Sequence, residues 1–222
     1  MTRLFDSVIE DLRKAVLRMG GLAESILGKA VRAVWERKAD VAREVQQDDL
    51  EIDRLDVQID EAVLRALALQ APVAEDLRLV IAIKMMASDL ERVGDLSRNI
   101  AKSAVRLSER PAVPFPPKLE ELADEARRLL KDALDSFADS DPGKARAVLA
   151  GDDRIDDDQD RVVRDAIEQI GAHPEITSQE VDLIMIAKNL ERVGDHATNI
   201  AEDVILAIEA HNVKHAEKLR RS

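Results

Sequence analysis

The stretch LERVGDLSRNIA, Leu90 to Ala101, returns one hundred residues later as LERVGDHATNIA, Leu190 to Ala201, with nine of the twelve positions identical. Glu91 and Asp95 stand at i and i+4, one helical turn apart on one face, and so do Glu191 and Asp195. At about 100° per residue, Lys84, Ser88, Arg98 and Lys102 share the face of Glu91, while Leu90, Val93 and Ala101 point elsewhere. The acid pair therefore belongs to the polar side of its helix. Gly94, between the two acids, lowers helix stability by roughly 1 kcal/mol relative to Ala. The compensating gain is the close approach of a neighbouring helix or a ligand.

Working outward, apolar residues recur at spacings of three and four on both sides of each motif. Leu77, Val80, Ile81, Met85, Leu90, Val93 and Ile100 read as one helix, and Val181, Ile184, Met185, Leu190, Val193, Ile200 and Ile208 as its counterpart. Met85 and Met86 read as core filler. The clearest interruption is SERPAVPFPPK, Ser108 to Lys118, with four prolines from Pro111 to Pro117, an extended linker. Lesser breaks fall at Ala71-Pro72, at Asp141-Pro142-Gly143 with Asp141 as N-cap, and at Gly171 to Pro174. Thr177 and Ser178 read as caps after the last break, with Glu180 in the manner of a capping box. The pattern predicts six helices, at 3–37, 40–70, 75–108, 118–139, 143–170 and 178–210. The chain is thus all-α: a three-helix unit over 1–110, a linker over 111–117 and a second three-helix unit over 118–222.

The preceding helix of each unit carries its own acid pair: Asp49 and Asp53 in the first, Asp152 and Asp156 in the second. In an antiparallel hairpin, residues at equal height have a constant index sum. Asp53 with Glu91 and Asp49 with Asp95 both centre the turn on Pro72, the break already found. Asp156 with Glu191 and Asp152 with Asp195 centre it between His173 and Pro174, the other break. Each unit should gather four carboxylates: Asp49, Asp53, Glu91 and Asp95 in one, Asp152, Asp156, Glu191 and Asp195 in the other. Like charges so placed repel, so beside the bland reading of a solvated acidic face stands that of a cation site. An all-oxygen donor set suits Mg²⁺, Mn²⁺, Ca²⁺ or iron, with Zn²⁺ also accommodated, at the surface and with positions open to water or an anion such as phosphate. Asp56 and Asp60 extend the first stripe, whereas Gln159 and Val163 stand in the corresponding places of the second, which predicts fewer or more weakly held ions there.

Composition bounds the rest. With no cysteine there is no disulfide, thiolate site or cysteine nucleophile, which fits a reducing compartment. The first residues lack an apolar signal segment, and no uncharged apolar run reaches the roughly 18 residues that span a bilayer. A net charge of −12 and a pI near 4.9 argue against nucleic acid as partner. His211 and His215 are i, i+4 but read as a polar tail. His196 replaces Leu96 of the first motif and could add a ligand to the second cluster; the matched Asn99 and Asn199 read as interhelical hydrogen bonders. There is no glycine-rich phosphate loop, no defensible Ser/His/Asp set, and no Glu-x-x-His pair of the di-iron bundle kind.

The doubled motif, together with Asp49/Asp53 and Asp152/Asp156, resembles the signature of the PhoU family of phosphate-specific transport accessory proteins, over essentially the whole chain. The resemblance implies two three-helix bundles related by a pseudo-twofold, with iron, zinc or similar metals on those acids. It also implies a cytoplasmic protein, often a homodimer, without enzymatic activity. Such a protein restrains phosphate uptake and starvation signalling through contact with the transporter's ATPase subunit and a membrane sensor histidine kinase. Two other functions compete. One is a metal buffer or store, to which many bound ions per chain would point. The other is a metal-dependent phosphohydrolase, for which Arg92 and Arg192 are the available stabilisers.

Overall fold

The computed structural model describes residues 4–214, with side chains from residue 6 to residue 214. His215 lies outside the described residues. The described chain is helical: α1 (Leu4–Glu36), α2 (Ala39–Gln70), α3 (Ala74–Ser108), α4 (Leu119–Ala138), α5 (Pro142–Leu149), α6 (Asp152–Ala172) and α7 (Thr177–Glu209), with a single 3₁₀ turn, Pro174–Ile176, before α7. Helices α1, α2 and α3 pack on one another in the first unit; α4, α6 and α7 do so in the second, with α5 laid against α4 and α7. The units are joined along α3 and α7, which pack against each other, so the two motif helices form the spine of the molecule.

One continuous core runs through both units, built from Leu, Ile, Val, Ala and Met, with Phe137 the one buried aromatic among the described side chains. Burying such side chains contributes about 1.5–3 kcal/mol each, which is what holds long helices of this kind together. The period-3.6 pattern fixes which faces go inward: Val80, Ile83, Met86, Leu90, Val93 and Ile100 of α3 are buried, as are Leu183, Ile186, Leu190, Val193 and Ile200 of α7. The stripe Leu77, Ile81 and Met85 is not core: Leu77 and Ile81 are exposed and Met85 is half-buried, and Val181, Met185 and Ile208 are likewise exposed. These residues lie one helical step away from the buried stripe, beyond the edge of the contact with α2 and α6.

Two expectations are corrected. The helix predicted over 143–170 is broken at Ala150 and Gly151 into α5 and α6. There the Gly151 N–H donates to the Val148 carbonyl, and a Cβ on Gly151 would stand 2.8 Å from Leu129 Cδ2 of α4. The chain turns where it can come closest to α4, and propensity over the window gives no warning of it. The proposed capping box at α7 also fails. The cap position is Ile176, no side chain caps it, Thr177 Oγ1 donates to the Pro174 carbonyl, and Glu180 is buried. Asp141 does cap α5, its Oδ1 accepting from the N–H groups of Gly143 and Lys144.

The proline segment is a strap and not a loose spacer. Val113 and Phe115 pack on the core, Pro116 is buried, and the Phe115 ring lies 5.5 Å from that of Trp35. Arg37 donates to the carbonyls of Leu107 and Arg110. Arg106 and Arg110 converge on the buried carboxylate of Asp182, with Arg106 Nε at 2.7 Å and Arg110 Nη1 at 2.8 Å. The end of α3 is thereby fastened to the start of α7.

Candidate metal centres

The α2–α3 hairpin turns at Ala71, which takes a left-handed conformation (φ 43°), and the α6–α7 hairpin turns through His173 and the 3₁₀ residues. Both centres agree with the index sums. The glycines confirm the register. A Cβ on Gly94 would lie 2.7 Å from Asp49 Oδ1 and 3.1 Å from Ile52 Cδ1, and a Cβ on Gly194 would lie 2.6 Å from Ile155 Cδ1. Each glycine therefore admits the neighbouring helix, as its place between the acids implied.

In the first unit Asp49, Asp53, Glu91 and Asp95 are brought together. Asp49 is buried, at 1% exposure, although its helix face was expected to be a surface one. Burial pushes its carboxyl above the usual range, Arg98 works against that, and Asp53 and Asp95 add to it. Glu91 is raised by burial first, then by Asp95, with Arg92 opposing and Asp56 and Asp53 contributing. The cluster contains its own cations. Arg98 reaches across from α3, its Nη1 2.6 Å from Asp49 Oδ2, and its other terminal nitrogen bonds Asp95. Lys84 stands 3.6 Å from Asp56 and 2.5 Å from Asp60. Arg92 folds back onto Glu91 and Asp95, at 3.2 and 3.1 Å, so it reaches the acid pair despite its angular offset on the helix.

In the second unit Asp152, Asp156, Glu191 and Asp195 face one another across α6 and α7. Burial, then Asp195 and Asp156, push Glu191 up to about 7, with Arg192 opposing and Asp152 contributing. Asp156 is raised by burial and by Asp195, followed by Asp153, Asp160 and Asp157. Thr198 occupies the place of Arg98, and its hydroxyl is spent on the Asp195 carbonyl. Ile184 occupies the place of Lys84.

As the side chains stand, no three of the described Asp, Glu and His residues converge closely enough to cage an ion. The second donor set nevertheless fits one: hard oxygens, half-buried, and a carboxyl that holds its proton because burial and then the neighbouring negative charges disfavour its ionised form. The first fits less well, because a guanidinium already bridges two of its four acids. His196 is not a ligand of the second cluster. Its Nδ1 lies 2.7 Å from Asp89 Oδ1 across the α3–α7 seam, where Asn199 Nδ2 also donates to Asp89 at 3.1 Å. Asn99, its counterpart, is exposed, and so is His211.

Sequence reasoning missed this seam. Asp89, His196, Asn199 and the fully buried Asp203, paired with Lys214 at 2.9 Å, form a polar line between the units. Burial foremost, opposed by Lys214, pushes Asp203 up to about 6. The available signal was the departure of Asp89, His196 and Asp203 from Asn189, Leu96 and Ser103 of the other repeat.

The comparisons with known proteins agree with this architecture. The PhoU domain family matches the chain twice, over residues 16–104 and 119–204. A phosphate-specific transport system accessory protein PhoU homolog of Pseudomonas putida is 35% identical over 216 residues, 97% of this chain and 84% of that protein. The crystal structure of PhoU from Pseudomonas aeruginosa superposes with a TM-score of 0.91 at 33% identity, covering 93% of this chain and 100% of that one. The phosphate transport system regulatory protein PhoU from Streptococcus pneumoniae superposes with a TM-score of 0.87 at 27% identity, covering 94% and 99%.

Proposed function

The chain belongs to the PhoU family, and on that premise we propose that it is an accessory regulator of phosphate-specific transport that restrains uptake and starvation signalling. It acts as an adaptor: one face meets the transporter's ATPase subunit and another a sensor histidine kinase, and the transporter's state biases which contact forms through differential affinity. The observation that carries this reading is the pair of matched units laid side by side along α3 and α7. That arrangement gives one molecule two similar outward surfaces. No described helix is long and apolar enough to cross a membrane.

We further propose that cations bind at the acid clusters, with Asp152, Asp156, Glu191 and Asp195 as the tighter set and Asp49, Asp53, Glu91 and Asp95 as the weaker. The protein's residues do three things there. Gly94 and Gly194 bring the helices together, the carboxylates supply oxygen donors, and Arg98 neutralises the first set from within. A divalent ion held there would supply positive charge between two helices of one hairpin.

Two measurements test this. Surface-immobilised full chain should bind the ATPase subunit and the kinase's cytoplasmic portion saturably; binding to neither would refute the adaptor. Elemental analysis of untagged protein should find metal in the wild type and lose most of it in Asp152→Ala/Asp156→Ala/Glu191→Ala/Asp195→Ala. If neither protein takes up Mn²⁺, Fe²⁺ or Zn²⁺ on titration, the clusters are docking surfaces for a basic partner.

A further inference from the structure

Glu180 stands at the start of α7 where the first repeat, one hundred residues earlier, has Val80. Val80 is an ordinary core residue, wholly buried; Glu180 is 1% exposed, so a carboxyl occupies what is a hydrocarbon position in the other unit. Its two polar neighbours have evident tasks. Gln179 replaces Leu79 and donates to the Pro111 carbonyl, and Asp182 replaces Ala82 and anchors Arg106 and Arg110. Both fasten the proline strap. Glu180 does not: its Oε2 lacks a hydrogen-bond partner, and among the described residues no cation pairs with it. The nearby cations are committed elsewhere, Arg110 to Asp182 and the Ser178 carbonyl, Lys118 to Glu121 and Asp158. Burial alone raises its pKa. A buried carboxyl oxygen with no partner destabilises the fold, and replacement by the valine of the other repeat would remove that cost.

Glu180 forms the floor of a cavity of about 380 Å³ between the strap and α6. The cavity is walled by Pro114, Phe115, Pro116 and Pro117, with Asp165 and Glu168 of α6 toward solvent. That volume falls within the roughly 300–1,000 Å³ of small-ligand sites. Half of the lining residues are prolyl or phenyl, and the rest are three acids and the amide Gln169. Carbon walls pack an aliphatic stem, a phenyl ring attracts a cation over its face, and three acids, with no basic side chain lining the cavity, call for positive charge. A bare metal ion fits less well, since no three carboxylates converge among the described residues.

We propose that this cavity receives an alkylammonium or guanidinium group, with Glu180 as its buried counter-ion and Phe115 and the prolines gripping its stem. The cation comes from a basic side chain of a partner protein or from a free amine. The test is an NMR titration of the full chain at about 0.15 M ionic strength, where general attraction to the acidic protein is screened. The probes are agmatine and, separately, a capped arginine amide. The wild type should show saturable shifts centred on Phe115 and the strap, and the nearly isosteric Glu180→Gln should bind roughly tenfold more weakly. Glu180→Val, copying the first repeat, should melt no lower than wild type and show no saturable shift. Tighter binding of the capped arginine assigns the cation to a protein, and tighter binding of agmatine to a free amine. No saturable shift, or equal affinity in Glu180→Gln, overturns the proposal and leaves a buried acid with no ligand. Mn²⁺ broadening of Phe115 at lower concentrations than agmatine needs overturns it in favour of a metal.

Discussion

At residue 98 the first repeat carries an arginine and at residue 198 the second carries a threonine, and the two acid clusters differ accordingly. Arg98 bridges Asp49 and Asp95, so the first cluster is closed by a resident cation, and Lys84 holds Asp56 and Asp60 beside it. At the second, Arg192 opposes the rise of Glu191, yet burial first and then Asp195 and Asp156 drive that carboxyl up to about 7. A count of carboxylates ranks the first site as the stronger cation binder, since Gln159 and Val163 replace two acids in the second. The charge balance ranks them the other way. Available negative charge, not the number of acids, sets how strongly an ion is drawn.

The comparison is broken most severely at the glycines that both clusters share. Gly194→Val would drive its side chain into Ile155, which is fully buried and has nowhere to retreat. Urea unfolding should show a loss of about 2–3 kcal/mol. Gly94→Val should lose a similar amount while also displacing the Asp49 carboxylate that Arg98 holds. A loss below about 1 kcal/mol in both would mean that glycine does not set the distance between the helices.

Exchanging the two residues sharpens the comparison. Thr198→Arg places at the second cluster the residue that bridges two acids of the first, and should weaken Mn²⁺ binding there about tenfold, since a unit charge a few ångströms away at the protein surface is worth well over 1 kcal/mol. Arg98→Thr should strengthen binding at the first cluster by a similar factor, at some cost in stability, because Asp49 loses its partner. Calorimetric titration of the two variants and of the double exchange reads this directly. Unchanged affinities in all three would show that charge neutralisation is not what separates the sites.

What the sequence made legible follows from periodicity. The hairpin register of both units came from index sums alone, because a period of 3.6 and two prolyl breaks leave little freedom. The six-helix plan came the same way, with the fifth helix in two pieces. The burial of Asp49 did not, because it depends on Gly94 admitting α2 so closely that the carboxylate is covered. Nor did the role of His196: its place next to Asp195 in sequence suggested the second cluster, but the packing of α3 on α7 gives it Asp89 instead. The break at Gly151 depends on contact with Leu129 of another helix. Contacts between units are set by tertiary fit, and a repeat pattern within each unit carries no information about them.

The smallest expected effect is the most specific to the second cluster. The Glu191 carboxyl keeps its proton in the folded chain up to about 7, whereas in the unfolded chain it releases it near the ordinary 4.5. Across that window the folded state binds more protons, so stability falls as pH rises and the contribution is gone above about 7. The group is only half-buried, and after solvent screening the loss is on the order of 1 kcal/mol. Glu191→Gln keeps the neutral form at every pH. In the presence of a chelator, the urea midpoint of this variant should match wild type near pH 5 and exceed it near pH 8. Asp203, raised to about 6, produces a decline of the same sign in both proteins, so only their difference reports on Glu191. Adding Mn²⁺ should then restore the wild type at the higher pH and leave Glu191→Gln nearly unmoved, because a cation replaces the proton on that carboxylate. If the two proteins decline in parallel without metal, burial and the crowding by Asp195 and Asp156 do not raise Glu191, and the second cluster loses its claim to be the tighter site.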